Sequence, residues 1–200
     1  MLSTFVGFRV RAASAAYADV TLHVDHLRAV QSVDPTTLSP ATLSQANAEF
    51  QALRSGLDRF DEATAVPGIQ IISALAWIGD RYTAMHDLLA IGLLAGDAGA
   101  IATTVGSDVL LAVDTSGGGA TDSGAWLTAI APHQHKLQSV LRDLEDIRAI
   151  RARLDDTVLP ERVRAQLLQL DRVVDRPELR SLAELDMSSA LKALGGSGAS

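Results

Sequence analysis

Apolar residues recur at steps of three and four along most of this chain, which places them on one side of a helix rather than on alternate faces of a strand. The first series is Val10, Ala13, Tyr17, Val20, Val24 and Leu27. It predicts a helix from about Val6 to Gln31 that stops at Asp34-Pro35, because the residue before a proline is pushed out of helical backbone. A second helix is predicted from Ser39-Pro40, with Ser39 as N-cap and Pro40 at the first helical position, where its missing N–H is not needed. Its seam is Leu43, Ala46, Phe50, Leu53, Leu57 and Phe60. Two amphipathic helices joined by a short link imply an antiparallel hairpin, and Pro67-Gly68 marks the break after it.

The segment Ile69–Gly96 carries Leu75, Ile78, Tyr82, Met85, Leu89 and Leu93 at helical spacing, with further apolar residues off that seam. Such a helix is usually central in its bundle. Asp97–Asp114 is expected to be a separate, shorter helix, with a strand as the alternative because Ile101–Val105 and Val109–Val113 are rich in β-branched residues. Thr115–Gly124 is low-complexity and predicts a flexible connection. Beyond it Leu137, Leu141, Leu144, Ile147, Ile150/Arg151 and Leu154 form the seam of a long amphipathic helix that opens near Trp126–Ile130 and Pro132. Leu159-Pro160-Glu161 then opens a helix over Val163–Val174, and Arg176-Pro177-Glu178 opens a last one over Leu179–Leu194, closed by Gly195-Gly196. The pattern as a whole predicts an all-α fold, an extended up-down bundle or stalk of about six or seven helices with a Gly/Ser-rich internal loop. The implied division is a helical body at 1–114, a loop at 115–124, an amphipathic arm at 125–196 and a frayed tail at 197–200.

Composition sharpens this picture. Ala (32) and Leu (28) supply 60 of the 200 residues against 8 aromatics, a mixture that favours helix over strand. Zero cysteines exclude a disulfide framework, a zinc-thiolate site, an iron–sulfur cluster and a thiol nucleophile. A net charge of −7 argues against a nucleic-acid partner, whose binding rests on phosphate neutralisation. Residues 1–132 carry 6 basic and 13 acidic groups and every aromatic, while 133–200 carry 11 of each charge. Met1–Phe8 is apolar but Arg9 and Arg11 follow it, the reverse of a secretory signal. Asp80, Asp87, Asp97 and Asp108 interrupt the most apolar region, so no membrane span is expected within it.

Candidate chemistry is sparse. His23, Asp25 and His26 lie within four residues, but only His23 and His26 share a helical face; His133 and His135 do not. With no Glu-x-x-His pair, these are expected to be surface or interface histidines, and no metal or other cofactor is expected. Asp114-Thr115-Ser116-Gly117 is similar to an aspartic-protease loop but for the intruding serine, and is expected to be a solvated loop. Gly117-Gly118-Gly119 lacks the Lys-Ser/Thr pair of a P-loop, and no Gly-x-Ser-x-Gly elbow occurs. The carboxylates Asp143, Glu145, Asp146, Asp155 and Asp156 alternate with Arg142, Arg148, Arg151 and Arg153, the pattern of a solvated helix face. Trp77 and Trp126 are expected to be packing anchors. No catalytic constellation is present, so the chain is not expected to be an enzyme.

The order of a helical hairpin, Pro67-Gly68, an apolar stretch, a loop, Trp126–Pro132, a long helix, Leu159-Pro160 and two short helices ending Ala190-Leu191-Lys192-Ala193-Leu194-Gly195-Gly196 resembles a bacterial family. It is the helical region preceding the main domain in domain of unknown function 4012 (DUF4012). The family's membrane helix and its main-domain run, Asn followed by Glu-Leu-Arg and paired glycines, do not occur in these residues. The resemblance implies an extracytoplasmic, envelope location and a non-catalytic stalk or spacer, with a protein partner or neighbouring domain and homo-oligomers as an option. The alternative expectation is a ligand-sensing bundle with an apolar pocket near Trp77, Tyr82, Met85 and Leu89.

Overall fold

The computed structural model describes residues 2–31, 39–65, 76–116 and 123–176, which are all-helical with no strand among them. In chain order the elements are α1 (Leu2–Gln31), α2 (Pro40–Thr64), α3 (Ala76–Ser116), α4 (Ser123–Ile130), a 3-10 turn (Ala131–His133), α5 (Gln134–Arg153), a second 3-10 turn (Asp156–Val158) and α6 (Glu161–Val174). The breaks expected at Asp34-Pro35 and Pro67-Gly68, the Gly117–Gly119 run, the helix over Leu179–Leu194 with Gly195-Gly196, and the 197–200 tail lie outside the described residues.

Ser39 starts α2 as its spacing from Pro40 predicts. Its backbone is extended, its hydroxyl accepts from the Thr42 N–H at 3.1 Å, and Pro40 occupies the first turn. α2 then packs between α1 and α3 and must serve both. It meets α1 antiparallel, with Gly56 against Val20 and Arg59 paired with Asp19 at 3.1 Å, while Glu49 reaches His23 and His26 nearer the other end of α1. The expected α1 seam runs through Tyr17, but Tyr17 is 64% exposed. The strip turned inward is Ala16, Val20, His23 and Leu27, with Ala16 and Leu27 buried. Contact at Gly56, where an added Cβ would stand 3.1 Å from Val20 Cγ2, brings the helices too close for a tyrosine on that side.

Where the sequence suggests two elements, α3 is one continuous helix of 41 residues, about 60 Å at 1.5 Å per residue. Asp97 does not end it, and its carboxylate pairs with Arg54 of α2. The β-branched stretch is helical too, which removes the strand alternative. Val105, Val109 and Val113 fall at four-residue steps and are buried beneath Trp126, Ala129 and Ile130 of α4 and Leu137 of α5. Burial of that stripe outweighs the few tenths of a kcal/mol per residue by which valine disfavours helix. Asp114, Thr115 and Ser116, expected in the loop, close the last turn of α3, where the Thr115 hydroxyl donates to the Leu111 carbonyl at 2.9 Å. At the far side of the connection, Ser123 and Gly124 already belong to α4.

Glycines set how close α2 lies to α3. A Cβ added at Gly99 would fall 2.3 Å from the Phe50 ring and one at Gly92 2.9 Å from Leu57, whereas at Gly96 the nearest atom, Arg54 Cβ, is 3.5 Å away. Gly99→Leu is therefore expected to cost about 1–3 kcal/mol by displacing Phe50. Gly96→Ala should be neutral or stabilising by up to about 1 kcal/mol, from helix propensity. Urea unfolding of the two variants checks the contrast, and equal midpoints would refute this account of the contact.

On another side of α3, Ala84 and Ile91 join Ile147 of α5, Leu154 and Leu159 of the following link, and Leu167 and Val174 of α6 in the larger hydrophobic cluster. α5 runs antiparallel to α3, since Arg153 reaches Asp87 while His133 lies beside Asp108. By length and composition alone, Asp80–Thr115 of α3 could also cross a membrane: its most apolar 18-residue window has a mean hydropathy of 1.7, and 28% of that window is buried in the fold. The aspartates do interrupt the stretch, with no more than ten residues between successive ones, and the window reaches this hydropathy despite them. A buried core helix of a water-soluble fold passes the same test.

Candidate functional site

The α1–α2 register brings together two histidines and a carboxylate. His23 and His26 lie three residues apart and share the face of α1 turned to α2. Glu49 stands opposite on α2, its Oε2 2.7 Å from His23 Nδ1 and its Oε1 3.1 Å from His26 Nδ1. The two rings meet edge to face with centroids 6.3 Å apart. His23 and Glu49 are mostly covered, with side chains 22% and 18% exposed, while His26 is 51% exposed and opens the group to solvent. Hydrogen bonding to His23, reinforced by His26 and opposed by burial, holds the Glu49 carboxyl below the usual carboxylate range. The sequence shows the histidine pair but not Glu49, 23 residues beyond His26 on another helix. The signal that would have found it is the hairpin register.

The residues expected near a ligand pocket lie on α3. Tyr82 and Met85 are half-buried and Leu89 is buried, and the Tyr82 ring packs edge-on against His86 with centroids 4.3 Å apart. The Trp77 side chain lies outside the described residues. Trp126 packs against the Val105–Val109–Val113 stripe. His133 is 3.8 Å from Asp108, and His135 is exposed.

The alternating charges of α5 are not simply a solvated face. Arg151 is 18% exposed and grips Asp156 with both terminal nitrogens, at 2.8 and 2.9 Å, while its Nε donates to Asp171 of α6 at 3.1 Å. Arg153 spans to Asp87 of α3 at 2.6 Å, and Arg148 donates to the Val174 carbonyl at the end of α6. Asp155 caps the second 3-10 turn, accepting from the Thr157 N–H at 2.8 Å, and this turn presents Asp156 to Arg151.

Asp143 behaves differently. Partial burial, then repulsion from Asp97 and Asp146, pushes its carboxyl above the ordinary range. A raised carboxyl pKa favours the fold while the group is protonated, and that contribution is lost as pH rises through the folded value. Asp143→Asn should therefore raise the melting temperature at pH 7, with the gain shrinking as pH falls below the usual carboxylate range. Melting curves at pH 7 and pH 3.5 check this, and a gain that grows toward acid would contradict the assignment.

Comparison of the chain with protein-family models, with curated proteins and with solved structures finds no match.

Proposed function

We propose that this chain is a non-catalytic helical spacer or interaction module, an extended up-down bundle that acts as a stalk for a neighbouring domain or protein partner in a bacterial envelope. One observation carries the reading: three of the five aspartates along the apolar helix α3 face basic side chains of other elements. Asp87 takes Arg153 of α5, Asp97 takes Arg54 of α2, and Asp108 faces His133 of the first 3-10 turn. Charges used this way lock antiparallel helices in register and do not converge on one reacting point. The same pairs support α3 as a core helix, since carboxylates facing lipid would be costly. The envelope location rests on the likeness of helix order to the DUF4012 helical region.

Small-angle scattering tests the spacer. A maximum dimension at or above the roughly 60 Å length of α3 is expected, together with a melting temperature unmoved by fatty acids or other apolar small molecules. The Tyr82–His86 contact beside Met85 and Leu89 favours one competitor, a ligand-sensing bundle. A melting temperature raised by an apolar ligand, and no longer raised in Tyr82→Ala, would replace the spacer with that reading.

A further inference from the structure

We infer that His23, His26 and Glu49 form a binding site for a divalent transition-metal ion of the zinc type, which clasps α1 to α2. The three ligand atoms, one from each side chain, lie within 4.8 Å of one another. Glu49 meets the rings with one oxygen each, Oε2 2.7 Å from His23 Nδ1 and Oε1 3.1 Å from His26 Nδ1, and the separations of up to 4.8 Å bracket the edge of about 3.3 Å that a tetrahedron with bonds of about 2.0–2.1 Å requires. A small outward movement of the Glu49 carboxylate makes room for the ion. Two imidazole nitrogens and one carboxylate oxygen are a donor set suited to zinc and its neighbours rather than to calcium or magnesium. The half-exposed His26 leaves one side open, so water completes the coordination.

Proton balance is simple. Without metal, each Nδ1 donates its hydrogen to the ionised carboxylate. On binding, the ion takes the place of both Nδ1 hydrogens; a neutral ring passes its one proton from Nδ1 to Nε2 by exchange with solvent, and a doubly protonated ring keeps its Nε2 proton and releases the other to solvent. A charge of +2 then replaces two hydrogen bonds across the same helix contact. The sequence distance between the ligands matters here. The His pair lies within one turn of α1 and Glu49 on a separate helix, so the ion adds a cross-link to a hairpin held by packing, the Arg59–Asp19 pair and the Glu49 hydrogen bonds.

Calorimetric titration of zinc chloride into the untagged full chain near neutral pH tests the site. One ion per chain is expected, with a rise in melting temperature that follows occupancy. Glu49→Gln and His26→Ala should each weaken binding by at least the roughly 10–100-fold that loss of an outer-shell partner costs in known zinc sites. Helix content by circular dichroism shows that these variants still fold, and His26 is exposed enough to be replaced without disturbing packing. His135→Ala, on α5, should leave affinity unchanged. Absence of binding at millimolar zinc, binding untouched by both site variants, or binding lost in His135→Ala would each overturn the inference.

Discussion

Ile147→Ala should lower the unfolding free energy by about 2–5 kcal/mol, a large share of the roughly 5–15 kcal/mol that holds an ordinary domain together. Ile147 is 1% exposed and the largest side chain among the described residues to be fully enclosed. Its neighbours in the cluster come from two other helices and a link: Ala84 and Ile91 of α3, Leu154 and Leu159 after α5, and Leu167 and Val174 of α6. Truncation removes three heavy atoms at a point where no single element can slide inward without separating from another. The loss therefore combines lost transfer energy with an unfilled cavity. Ile147→Val, which removes one methylene, should cost only about 0.5–1.5 kcal/mol. Urea unfolding with an unchanged m-value measures both; a cost under about 1 kcal/mol for the alanine variant would mean that the site collapses freely and that this cluster is not the core.

Arg151→Ala is expected to cost about 1.5–3 kcal/mol, the range for hydrogen bonds to charged groups rather than that for exposed pairs. The guanidinium is mostly covered and joins three elements: its own helix α5, Asp156 in the second 3-10 turn, and Asp171 on α6. Those bonds, Asp156 first, raise the already high pKa of the arginine, so its charge is permanent. Removing it leaves two carboxylates facing each other without their shared cation. Arg151→Lys should recover only part of the loss, because an ammonium cannot match the two-pronged grip on Asp156. Hydrogen exchange should also show α6 amides opening faster in Arg151→Ala. Arg142→Ala, exposed on the same helix, should stay within about 0.5 kcal/mol of the parent. Equal effects at positions 142 and 151 would return both residues to the solvated face that their spacing suggests.

Much of the helical layout is legible in the linear pattern. Ser39-Pro40 starts α2, Pro160 precedes α6, and Ile147 on α5 and Leu154 just after it fall on the predicted seam and are buried. These features depend on neighbours within a few residues, where capping, proline geometry and period are decisive. Other readings needed the partner helix. Tyr17 fits its seam as well as Ala16 fits the observed strip, yet the packed helix buries Ala16 and leaves Tyr17 exposed. Asp97 looks like a helix boundary, yet it lies inside one helix and pairs with Arg54 of α2. Val105, Val109 and Val113 look like strand until α4 covers them. The candidate metal site shows the same division, since two of its donors lie within one helical turn and the third is on another helix.

The sequence by itself determined that this chain is helical and where several of its helices begin, because spacing, capping and proline act locally and need no partner. Tertiary structure decided which charged residues are structural and which groups meet. Arg151, Arg153 and Arg54 look alike on paper, yet they join different helices through Asp156 and Asp171, Asp87, and Asp97. His23 and His26 acquire Glu49 only when α1 and α2 lie antiparallel. The reason is physical: an ion pair or a ligand set depends on distance and burial, and both are properties of packed helices rather than of the order of residues along one of them.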